Sequence, residues 1–126
     1  MTDEELLARA DAIAVRAYAP YSGFHVGCAV LTRSGAVVEG VNVENAAYPL
    51  GVCAERTTFS RAIVEGFSPG DFSVAAITAS PCGGCRQWLA EMQVERVVFR
   101  NGGRIVRMTV DELLPEQFDA TELGAG

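Results

Sequence analysis

Three thiols and one carboxylate define the chemistry open to this chain. Cys53-Ala54-Glu55 is followed well downstream by Pro81-Cys82-Gly83-Gly84-Cys85. Three thiolate ligands leave a tetrahedral zinc with one open position, which catalytic zinc sites need and structural sites avoid. A carboxylate two residues from a ligand can handle the protons of a water bound there. Cys82 and Cys85 stand at i,i+3, so on one helix they share a face and can grip one ion. Cys53 must come from a second element. Inside a helix, Cys53 and Glu55 would point to nearly opposite sides. Cys53 therefore belongs at the very start of its helix, where the helix end also favours negative charge.

Three thiolates around Zn²⁺ form a net negative centre. Arg56 and Arg86 flank the ligands, and hydrogen bonds from them to sulfur would draw charge away. Other readings of the cysteines differ in class. A structural zinc would need a fourth ligand, for which Cys28 or His25 is available. Cys28 lies in an apolar run, where a small buried side chain is the ordinary explanation. A strand, Pro81 and then Cys-Gly-Gly-Cys also suits a redox motif. That reading leaves Cys53 and Glu55 without a role.

Composition removes several other chemistries. The formal charge is −6, so the chain lacks the basic stripe that nucleic-acid binding requires. Arg96, Arg100, Arg104 and Arg107 come nearest to one, and they read as a solvated face. Lysine is absent, which excludes a lysine Schiff base and a P-loop lysine. The single histidine, His25, leaves little room for a Ser-His-Asp triad. No apolar run approaches the roughly 20 residues that span a bilayer. The acidic Met1-Thr2-Asp3-Glu4-Glu5 start does not resemble a secretory signal, so a cytoplasmic location is expected. Four cysteines in such a chain favour metal binding or catalysis over a disulfide framework.

The positioning elements follow from periodicity. Asp3 to Tyr18 reads as an amphipathic helix capped by Thr2 or Asp3. Ala19 to Gly23 is a turn-rich connector. His25–Thr32 and Ala36–Val43 read as strands around Arg33-Ser34-Gly35, with an ordered loop from Asn42 to Leu50. Helices are expected from Cys53 to Glu65 and from Cys82 to Met92, around a buried strand from Phe72 to Ala79. Val94–Phe99 and Arg104–Met108 form strands around Asn101-Gly102-Gly103. Thr109 to Leu114 is a short helix, and the residues up to Gly126 form a loosely held tail. The order α-β-β-α-β-α-β-β-α implies one α/β domain spanning 1–126, with a five-stranded mixed sheet and helices on both faces.

The C-x-E…P-C-x-x-C pattern resembles the known signature of the zinc-dependent cytidine deaminases. Ala19-Pro20-Tyr21-Ser22-x-Phe24-x-Val26-Gly27 is similar to the segment that enters the first strand in their small, homotetrameric members. Gly40 to Tyr48 resembles their ribose-binding segment, and Leu113-Leu114-Pro115-x-x-Phe118 their C-terminal signature. The likeness covers nearly the whole chain in the same order. It implies a three-layer α/β/α cytidine-deaminase-like fold and hydrolytic deamination of cytidine and deoxycytidine in pyrimidine salvage. Cys53, Cys82 and Cys85 would bind zinc, and Glu55 would shuttle protons. Asn42 and Glu44 would hold the ribose hydroxyls, Phe24 would pack by the nucleoside, and backbone at Ala54 and Pro81 would orient the pyrimidine edge. Ala46, Tyr48 and Phe118 would reach a neighbouring subunit's site in a homotetramer. Without the resemblance, Asn42 and Glu44 read as loop polars, and Phe24 and Phe118 as core aromatics. The stretch Ala76 to Ser80 is shorter than in many family members. Deamination of another nucleoside-like compound such as blasticidin S, or a non-catalytic zinc-binding protein, are the alternatives.

Overall fold

The computed structural model describes residues 1–124. The end of the expected tail, residues 125–126, lies outside them. Four helices are present in the described chain: α1 (Asp3–Ala14), α2 (Ala54–Val64), α3 (Gly83–Glu91) and α4 (Val110–Leu113). Five strands form one sheet: β1 (Gly27–Thr32), β2 (Val37–Val41), β3 (Phe72–Ile77), β4 (Arg96–Asn101) and β5 (Arg104–Thr109). Their spatial order is β2-β1-β3-β4-β5. Only β3 and β4 run parallel, joined by the crossover through α3. The other neighbours are antiparallel. This is the expected mixed sheet.

Alternation along the central strands sends side chains to two separate cores. Cys28, Val30, Ala75, Ile77, Val97 and Phe99 pack with Ala54, Phe59 and Leu89 of α2 and α3. Ala29, Val74, Ala76 and Val98 face the other way, against Leu6, Leu7 and Ala10 of α1. The sheet thus lies between α1 on one face and α2 and α3 on the other. Leu6 and Leu7 are each 1 % exposed, a burial that contributes about 1.5–3 kcal/mol per side chain. A Cβ at Gly27 would lie 2.0 Å from the Ala10 carbonyl oxygen, so only glycine lets β1 approach α1 this closely.

Thr2 caps α1 in a reciprocal capping box with Glu5. The helix ends at Ala14, four residues before the expected Tyr18. Tyr18 instead exchanges backbone hydrogen bonds with the loop after β2: its N–H donates to the Asn42 carbonyl, and it accepts from the Glu44 N–H. His25 lies ahead of β1 and is exposed, so the strand expected from His25 begins at Gly27 instead. Val94 also precedes its strand. Gln93 adopts φ 56° there, and the Val94 N–H closes back on the Leu89 carbonyl.

Three of the four hairpin arginines are paired with acids of α1. Arg96 and Arg107 both bind Asp3, Arg107 also binds Glu4, and Arg100 binds Asp11. The acidic outer side of α1 is therefore tied to the C-terminal hairpin. Among the described residues, no helix is long and apolar enough to cross a membrane.

Candidate metal centre and nucleoside pocket

The sheet brings three segments to one edge. β1 runs antiparallel to both neighbours, with Gly27 opposite Val41 and Cys28 opposite Ile77. The entry to β1, the exit of β2 and the exit of β3 therefore meet at the carboxyl end of β3. Ligands gather at such ends in α/β sheets. Phe24, Asn42 and Ser80 reach this edge on those three segments, and α2 and α3 begin beside it.

Cys53 is the N-cap of α2 and Cys82 the N-cap of α3, both in extended backbone. This resolves the geometric conflict between Cys53 and Glu55: the ligand lies outside the helix and the carboxylate in its first turn. Cys85 sits one turn into α3. The three sulfur atoms lie within 4.8 Å of one another. A tetrahedral zinc with bonds of about 2.3 Å needs sulfurs about 3.8 Å apart, so the donor set fits. Cys28 is fully buried in the core and stands apart from this cluster. All four cysteines are free thiols.

α2 is fixed to β2 by close contact. A Cβ at Gly40 would lie 2.3 Å from the Thr58 hydroxyl and 2.7 Å from the Thr58 nitrogen. The Thr57 hydroxyl donates to the Val41 carbonyl at 2.7 Å. These contacts hold Cys53 and Glu55 against the strand that delivers Asn42. The periodicity of α2 gave no sign that its two threonines have this task.

Glu55 is 3 % exposed. Burial pushes its carboxyl above the usual carboxylate range, partly offset by its own backbone N–H and the Cys85 thiol. Burial likewise raises Cys85, and the Glu55 charge adds to that. Arg56 faces this negative centre, and the nearby Cys85, ahead of Cys53 and Cys82, raises its affinity for its proton. Its Nε is buried without a protein partner. The Arg56 guanidinium lies against the first turn of α3, where a Cβ at Gly84 would stand 2.5 Å from Arg56 Nη2. Arg86 is bonded elsewhere. Its guanidinium donates to the Pro81 and Leu113 carbonyls, each at 2.9 Å, and contacts the Ser80 hydroxyl. One residue past Cys85, its side chain leaves the helix about 100° away from the sulfur and ties the loop before α3 to α4.

A cavity of about 310 Å³ opens onto this centre, within the range of small-ligand pockets. Cys53, Ala54, Glu55 and Cys82 line it, together with Phe24, Asn42, Glu44 and Tyr48. Ala79 and Ser80 of the short approach to Pro81 form part of the wall. Phe24 is 62 % exposed and Phe118 is 56 %, so neither is core. Tyr48 lines the cavity of its own chain, whereas Ala46 and Phe118 lie outside that lining.

The family model for the cytidine and deoxycytidylate deaminase zinc-binding region matches residues 1–101. The chain belongs to this deaminase family. It is 41 % identical to a cytidine deaminase of Halalkalibacterium halodurans, over 96 % of this chain and 98 % of that one. A cytidine deaminase of Sporosarcina psychrophila is 38 % identical, over 98 % and 96 % of the two chains. Among solved structures, the cytidine deaminase of Burkholderia pseudomallei superposes with a TM-score of 0.88 at 41 % identity, covering 94 % of this chain and all of that one. The deaminase zinc-binding region contains the three sulfurs described above, and the chain carries the zinc site of its family.

Proposed function

We propose that this chain hydrolyses cytidine and deoxycytidine to uridine and deoxyuridine, releasing ammonia. The carrying observation is Glu55, buried near the three sulfurs and lining a nucleoside-sized cavity. The relatives named cytidine deaminase, matched over nearly their full lengths, support the same reading.

Cys53, Cys82 and Cys85 would hold zinc, which would supply Lewis-acid chemistry for the attacking water. Glu55 accepts a proton from the attacking water and delivers it to ring N3. C4 becomes tetrahedral. Glu55 then takes the proton of the new C4 hydroxyl and hands it to the exocyclic amine, the C4–N bond breaks, the C4 carbonyl forms, and ammonia leaves. One carboxylate serving as base and then acid needs a raised proton affinity, which its burial provides. Arg56 offsets thiolate charge. Ala54 and Pro81 present backbone to the pyrimidine edge.

Asn42 and Glu44 receive the sugar. The Asn42 side chain already bonds the Val26 N–H and the Phe24 carbonyl, leaving one amide N–H and one lone pair. Glu44 keeps one acceptor position after three protein donors. Hydroxyls of a ribose match what remains, and Phe24 closes over the nucleoside.

The chain works as a single domain, 1–126, in the cytoplasm, and assembles as a homotetramer with sites shared between subunits. Exposed Phe24 and Tyr48 line the pocket, and exposed Tyr21 packs edge-on against Tyr48, which supports burial by another copy. Ala46, Tyr48 and Phe118 would then complete a neighbouring site. Sedimentation at micromolar concentration tests the assembly. The activity is tested by incubating the purified zinc-loaded protein with cytidine: uridine and ammonia should appear in equal amounts, and their absence would refute the assignment.

A further inference from the structure

Glu44 is held by its neighbours in a way that its proposed sugar contact does not require. One carboxylate oxygen accepts the Tyr21 N–H at 3.0 Å and the Ser22 N–H at 3.1 Å. The other accepts the Ser22 hydroxyl. The same hydroxyl oxygen accepts the Phe24 N–H at 3.0 Å, closing a serine turn. A hydroxyl has one hydrogen, and here it goes to Glu44; its lone pair goes to Phe24. Ser22 therefore links two groups that line the cavity, the Glu44 carboxylate and Phe24. It also lines a neighbouring recess with Tyr21, Asn45 and Tyr48.

We infer that Ser22 is a positioning residue that aims the free acceptor of Glu44 at a sugar hydroxyl and fixes Phe24 in register with it. This rests on the deaminase reading above. Without the hydroxyl, the Glu44 oxygen facing the cavity has no partner from the chain. The carboxylate then rotates about the two remaining N–H bonds, and the Phe24 backbone loses its anchor. Both changes weaken nucleoside binding while leaving the zinc ligands and Glu55 in place. Ser22 acts through other groups, so its effect falls on substrate capture and not on bond breaking.

The test compares Ser22→Ala and Ser22→Thr with the wild-type chain on cytidine and on 2′,3′-dideoxycytidine, which lacks the 2′- and 3′-hydroxyls assigned to Glu44. Ser22→Ala should raise KM for cytidine about tenfold, with kcat within about twofold, the scale of one lost hydrogen bond to a charged group. On dideoxycytidine the loss should shrink to about threefold or less. Ser22→Thr keeps a hydroxyl and should restore KM. Uridine binding by calorimetry gives a readout without turnover, and Ser22→Ala should weaken it about tenfold. An unchanged KM and uridine affinity, an equal loss on both nucleosides, or a fall confined to kcat would overturn the inference. A wild-type chain that binds uridine but leaves cytidine intact would count against the deaminase reading alone.

Discussion

Cys53 and Cys82 cap their helices with nearly the same backbone, φ −72° and ψ 157° against φ −67° and ψ 169°. Neither cap makes the usual side-chain hydrogen bond to its first turn. An N-cap residue is normally chosen for that bond. Here both side chains turn towards each other and towards Cys85, and the capping position serves ligand placement instead.

Cys53→Ala removes one of three sulfurs, and two cannot hold zinc in this geometry. Metal analysis after dialysis should show less than about a tenth of the wild-type zinc. Cys28→Ala should keep full zinc while lowering stability by about 1–2 kcal/mol, since that thiol only fills the core. Full zinc in Cys53→Ala would mean that the ligand set is wrong.

Glu55→Gln preserves size and packing but cannot carry a proton. Zinc content and thermal midpoint should stay close to wild type, and kcat should fall at least about 10²–10⁴-fold. A variant with wild-type kcat would assign the proton transfers to another group.

Arg56 and Arg86 separate cleanly by readout. Arg56→Ala leaves the sulfurs without their compensating charge and should weaken zinc binding about 10–100-fold in a chelator competition. Arg86→Ala should leave zinc affinity unchanged and instead lower the unfolding midpoint. It strands the Pro81 and Leu113 carbonyls, a loss of about 1–3 kcal/mol.

Asp3 gives the fold an acid-sensitive tie. The hydrogen bond from Arg96, with Arg107 beside it, holds the Asp3 carboxyl below its ordinary 3.8. A depressed folded-state pKa adds stability above the unfolded value, and that stability is lost as pH falls through the folded one. The Asp3 side chain is 13 % exposed. Asp3→Asn should therefore cost about 1 kcal/mol near neutrality. The gap between the variant and wild type, read from urea midpoints, should close in acid well below pH 3.8. A gap that stays constant across that range would show that the carboxylate charge plays no part.

The sheet, both hairpins and the start of each zinc helix were legible because they depend on local spacing. The pairing of a helix-start cysteine with a carboxylate two residues on admits only one backbone solution, and α2 adopts it. Three features were hidden because they depend on partners distant in sequence. The apolar pattern of α1 runs on through Ala17 and Tyr18, but pairing with Asn42 and Glu44 draws that stretch out of the helix. Arg86 adjoins a ligand in sequence, but the helical turn directs it to α4. Glu44 reads as a free loop carboxylate until Tyr21 and Ser22 are folded against it. A Ser-Gly step two residues ahead of an aromatic was the only local hint of that contact.

The sulfur triad also joins distant parts of the chain. Cys53 precedes α2, whereas Cys82 and Cys85 follow β3, so a metal bridging them cross-links segment 53–85 into a closed loop. In the unfolded chain such a closure removes conformational freedom, as a disulfide does. Unlike a disulfide, it is reversible and depends on metal supply. The same three residues that make the site reactive therefore act as a staple for the middle of the sheet, so the resistance of α2 and β3 to unfolding should rise and fall with zinc.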